Sequence, residues 1–64
     1  MIETFGDKIK IAREKAGFTQ EALAREAGIT LNSMYRIEKN KMIPTFPIVA
    51  KISDALKISL DLLK

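Results

Sequence analysis

The stretch from Thr19 to Glu38 constrains this chain most. Leu23, Ala24 and Ala27 repeat at helical spacing, and Gly28 interrupts the pattern. It resumes beyond Thr30, with Met34 and Ile37 three apart. Apolar residues at such intervals line one face of a helix and must be buried against another element. Thr19 and Thr30 stand where an N-cap hydroxyl would accept a free backbone N–H of the first turn. Glycine adopts the left-handed conformation that ends a helix without a Cβ clash. The segment therefore predicts two short helices crossing at a tight turn. Gln20, Glu21, Arg25 and Glu26 are expected to face water on the first, and Leu31, Asn32, Tyr35 and Arg36 on the second.

The flanking segments read as helices too. Phe5, Ile9, Ala12 and Ala16 lie on one face of a first helix over about 5–16, capped by Thr4, with Asp7 near its positive end and Gly17 after it. Ile29 is expected to drop into the core beneath the turn. After the third helix Asn40 stands where a left-handed residue is needed, a conformation asparagine tolerates better than most side chains. Pro44 then bars continuation. Thr45 is expected to cap a fourth helix with Pro47 in its first turn and Val49, Ile52, Ala55 and Leu56 inward. Ser59 is expected to cap a last stub with Leu60 and Leu63 inward. No strand pattern, repeat or linker interrupts this series. The expectation is an all-α fold, five helices on one core, forming a single domain over 1–64 with the central helical pair at 19–38.

Composition narrows the function. The 64 residues contain neither cysteine nor histidine. A thiolate metal cluster, a disulfide, the commonest metal ligand and the commonest general base are thereby removed, and no paired carboxylates suggest a catalytic pocket. The chain is not expected to be an enzyme or to carry a metal or cofactor. Apolar runs stay far below the roughly 20 residues that cross a bilayer, and the first residues lack a signal-peptide pattern. A soluble cytoplasmic protein with no membrane partner and no small-molecule effector is expected.

The net charge is +3. Between residues 31 and 53 stand Arg36, Lys39, Lys41 and Lys51 against Glu38 alone, whereas the rest of the chain is balanced. The whole excess thus lies in the third helix and the segment after it. Two crossed helices with a glycine turn make a helix-turn-helix, whose second helix fits the major groove of DNA, and a cationic segment at that helix suits a polyanion.

In order and spacing, Arg13, Gly17-Phe18-Thr19-Gln20, Leu23-Ala24, Gly28-Ile29, Glu38, Pro44, and Leu56 with Ile58 resemble the lambdoid phage repressor and Cro-type helix-turn-helix family. The resemblance covers about residues 5 to 63. It implies a compact five-helix λ-repressor-like DNA-binding domain. It also implies a partly buried ion pair between Arg13 and Glu38, and a phosphate contact by Gln20. Departures are Asn40 in place of a frequent glycine, Leu31 in place of a polar residue, and apolar Ile11, Ile48 and Leu62.

Arginine can grip guanine O6 and N7, asparagine can grip adenine N6 and N7, and leucine can pack on a thymine methyl. Arg36, Asn32 and Leu31 are therefore the expected base contacts. Thr19, Gln20, Ser33, Tyr35, Lys39, Lys41, Thr45 and Phe46 are the expected phosphate contacts, some at helix N-termini whose free N–H groups attract anions. Ile58 and Leu62 are expected near a homodimer seam. The leading expectation is a sequence-specific regulator of transcription, a repressor on a palindromic operator. The alternative is a protein-interaction or antitoxin-type module on the same scaffold.

Overall fold

The computed structural model describes residues 4–59. It contains four helices: α1 (Phe5–Lys15), α2 (Gln20–Ala27), α3 (Leu31–Glu38) and α4 (Phe46–Leu56). Among the described residues there is no strand, and no helix is long and apolar enough to cross a membrane. The expected fifth helix, with Leu60, Leu62 and Leu63, lies outside the described residues.

Each helix starts on a threonine. Thr4, Thr19 and Thr30 each accept the backbone N–H three residues on, at 3.2, 3.0 and 3.0 Å. At α1 the arrangement is reciprocal, because the Asp7 carboxylate accepts the Thr4 N–H at 3.3 Å. Thr45 makes no side-chain cap bond, contrary to its expected role. Pro47 occupies the second helical position, where its missing N–H costs the helix nothing.

All four helices stop in the same way. The residue after the last turn turns left-handed, at Gly17, Gly28, Asn40 and Lys57, with φ between 57° and 80°. The next N–H then reaches back five residues: Phe18 to Arg13, Ile29 to Ala24, Lys41 to Arg36 and Ile58 to Ser53, at 2.8–3.0 Å. This double closure satisfies carbonyls that a helix end leaves open. At Gly28 it also sets the turn, because only two residues separate it from α3.

Ile9, Leu23, Ala24, Ala27, Met34, Ile37, Ile52 and Leu56 form the buried core. Phe18, Ile29, Met42, Ile48 and Ile58 pack against it from the loops and the edges of α4. Helix α2 packs on both α3 and α4, and α1 packs on α3. The expected inward face of α1 needs correction. Ala16 is exposed, while Gly6 and Arg13 are buried. On α4, Ser53 is buried and donates to the Ala50 carbonyl at 2.9 Å, which removes the cost of an unpaired hydroxyl.

Gly6 is buried because α1 crosses the end of α3 at very close range. A Cβ on Gly6 would lie 2.5 Å from the Glu38 carbonyl oxygen and 2.6 Å from that of Ile37. Asn40 ties the same junction. Its Oδ1 accepts the Gly6 N–H at 3.0 Å, and its Nδ2 donates to Thr4 Oγ1 at 2.8 Å. One of the free N–H groups of the first turn of α1 is thus satisfied by a side chain from beyond α3. That pairing explains an asparagine at a left-handed position where glycine would fit with less strain.

Candidate nucleic-acid interface

The buried face of α3 fixes what its other face presents. Met34, Ile37 and Glu38 point into the protein. Helical periodicity then turns Leu31, Asn32, Tyr35 and Arg36 outward, and all four are exposed, Leu31 and Tyr35 by nearly half. Asn32 and Arg36 are one turn apart and share a side of the helix. Lys39 continues this side at the C-cap, with its Nζ 5.7 Å from the Tyr35 ring centroid, in cation–π range.

Beneath this face sits a hydrogen-bonded chain. Arg13 Nε donates to Glu38 Oε2 at 2.6 Å, and a second guanidinium nitrogen reaches Glu38 Oε1 at 3.3 Å. The guanidinium also donates to the Phe18 carbonyl at 2.8 Å. Both side chains are at least nine-tenths buried. The planar fork matches the carboxylate, and every buried side-chain nitrogen and oxygen among the described residues has a partner. Gln20 Nε2 donates to the same carboxylate, sharing Oε1 with the guanidinium, at 3.0 Å. The amide is therefore half-buried rather than facing water as its place in the sequence suggested. Three helices are pinned through one carboxylate: α1 by Arg13, α2 by Gln20 and α3 by Glu38. Gln20 keeps its carbonyl oxygen and a second N–H for other partners.

The other expected contacts fall into distinct settings. Thr19 is exposed and serves as a cap through its hydroxyl. Ser33 is half-buried and its hydroxyl oxygen accepts from Thr30 at 3.0 Å, so it is turned back toward the cap of its own helix. Lys41, Thr45 and Phe46 are exposed in and after the loop that leaves α3, Phe46 by 71%. Ile43 in that loop is 93% exposed. Lys51 departs from the cluster it joins in sequence. Its ammonium lies 3.6 Å from where a Gly28 Cβ would stand, at the carbonyl end of α2. Ile58 is half-buried and packs against the core, and Leu62 lies outside the described residues. Ile11 is exposed on α1, whereas Ile48 packs inward.

Residues 9–63 match the Helix-turn-helix family, so this chain belongs to that family of proteins. Among its relatives is the HTH-type transcriptional regulator YazB of Bacillus subtilis, 34% identical over 59 residues, which cover 92% of this chain and 86% of YazB. Another is the transcriptional repressor RstR of the cryptic phage CTXphi in Vibrio cholerae. It is 37% identical over 55 residues, which cover 86% of this chain but only 49% of RstR. The fold is similar to that of SinR, a master regulator for biofilm formation solved in complex with DNA. The TM-score is 0.88 at 30% identity, over 94% of this chain and 97% of the other.

Proposed function

We propose that this chain is a transcriptional regulator that binds double-stranded DNA by sequence, acting in the cytoplasm as a repressor. The observation that carries the reading is the outward face of α3, where Asn32 and Arg36 stand one turn apart on a helix whose other side is locked into the core. A helix so presented enters the major groove, and a good bidentate side-chain contact discriminates between bases by about 1–3 kcal/mol. The repressors and regulators among its relatives support the same reading. Leu31 adds apolar contact to a thymine methyl, while Lys39 and Lys41 flank the face as phosphate contacts.

The regulator acts as a homodimer on a palindromic operator, with Ile58 and Leu62 near the seam and the two copies of α3 about 34–36 Å apart, one turn of DNA. Selection of bound fragments from random duplexes tests the reading. An enriched motif with two inverted halves is expected, and Arg36→Ala should flatten one position of each half more than it weakens binding to unrelated DNA. Failure to enrich any motif refutes it. Leu62→Glu should shift sedimentation toward the monomer, and an unchanged profile would move the seam elsewhere. A second reading, a protein-interaction or antitoxin-type module, is favoured by the exposed apolar side chains of Leu31, Ile43 and Phe46.

A further inference from the structure

Where α1, α2 and α3 converge, a cleft of about 320 Å³ opens to solvent. Lys10 and Asp7 of α1 form one wall, and Tyr35 of α3 with Lys39 at its C-cap another. Gln20 and Glu38 lie between them, and Asn40 closes an end. Several of these groups already have partners. Arg13 neutralises Glu38. Asp7 is turned to the Thr4 N–H, and both ends of the Asn40 amide are engaged with α1. The groups that remain are mostly donors: two ammonium groups, a phenol and the second N–H of Gln20. The Lys10 ammonium has no hydrogen-bond or ion-pair partner among the described residues. Such a lining suits one singly charged oxyanion. An apolar effector would want apolar walls, and the Tyr35 ring alone supplies one.

The position of the cleft identifies the source of that anion. Tyr35 and Lys39 belong both to it and to the face that carries Asn32 and Arg36. A helix lying in the major groove is bordered by the sugar-phosphate strands, so a strand passing α3 runs over this opening. We propose that the cleft seats one backbone phosphate of the bound duplex, and that Lys10 brings α1 into the contact as a second ammonium beside Lys39. Gln20, its amide fixed by Glu38, supplies an N–H to the same phosphate. The inference rests on the DNA-binding reading above and adds to it a contact from α1.

The test is fluorescence anisotropy with a labelled mixed-sequence 20-bp duplex, a length of about two turns, over a series of salt concentrations. Each phosphate neutralised contributes about −0.9 to the slope of log affinity against log salt. Lys10→Ala should lower the slope by about that amount, so that the loss of affinity between 50 and 200 mM salt shrinks by about 3.5-fold. Lys10→Arg should keep the slope. Lys15→Ala, exposed on α1 away from the cleft, should leave it unchanged. Circular dichroism confirms that each variant is folded. If the wild type binds and Lys10→Ala keeps the full slope, or Lys15→Ala lowers it equally, the phosphate seat is refuted while DNA binding stands. No binding by the wild type overturns both. Saturable micromolar binding of inorganic phosphate without duplex would assign the cleft to a small anion instead.

Discussion

Replacing Gly6 by alanine separates the close crossing of α1 and α3 from ordinary helix chemistry, because the two predict opposite signs. In an exposed helix the change favours the fold by up to about 1 kcal/mol, since glycine is the poorer helix former. In this protein the new methyl would stand 2.5 and 2.6 Å from two backbone carbonyl oxygens and 2.9 Å from Asn40 Oδ1. Comfortable separation is about 3.5 Å, so α1 and α3 must part by roughly 1 Å. Backbone oxygens at the end of a packed helix cannot rotate aside as a side chain can. Overpacking of this kind costs about 1–3 kcal/mol. Parting the helices also stretches the Gly6–Asn40 hydrogen bond, worth about 0.5–1.5 kcal/mol. The net expectation is a loss of about 2 kcal/mol, or a melting temperature lower by roughly 8–16 °C for a domain of this size. Urea unfolding followed by far-ultraviolet circular dichroism measures it. A neutral or stabilising Gly6→Ala would refute the close crossing and, with it, the account of why Asn40 faces α1.

Lys57→Gly should stabilise the protein by about 1 kcal/mol, because Lys57 holds a left-handed backbone at φ 57° that costs a side chain about 1–2 kcal/mol; a melting temperature that does not rise would contradict the strain. Asn40→Gly relieves less strain, because asparagine tolerates the left-handed region, and removes the bonds to Gly6 and Thr4, each worth about 0.5–1.5 kcal/mol, so a net loss of about 1 kcal/mol is expected in the same unfolding assay. Glu38→Ala leaves the Arg13 charge buried without its partner and should cost about 3–5 kcal/mol. A denaturation midpoint close to the wild type would mean that water replaces the carboxylate.

The parts of this fold legible in the sequence are those governed by near neighbours along the chain. The limits of α2 and α3 follow from a threonine cap, apolar spacing and a left-handed terminator, all within a few residues of each other. Asn40 is legible as a terminator for the same reason. Its hydrogen bonds to Gly6 and Thr4 are not, because they depend on where α1 lands. Gly6 carries no visible signal: a glycine in a first turn looks ordinary until another helix lies against it. Ala16 fits the apolar repeat of α1 but stands at the C-cap, where the chain turns away from the core. Gln20 looks like an exposed polar residue at a helix start, and only the pairing of Arg13 with Glu38 brings an acceptor within its reach. Lys51 illustrates the converse, a charge adjacent in sequence to the basic cluster that the bend between α3 and α4 carries to the far end of α2.

The Asn40 bridge gives the first residues of the chain a hold on the helix that would enter the groove. Thr4 and Asn40 are 36 positions apart yet share a 2.8 Å bond. A purification tag or a fusion placed ahead of Thr4 would therefore pull on the end of α3 as well as on the helix it is attached to. Attachments at that end are expected to change operator recognition even when the core melts as before.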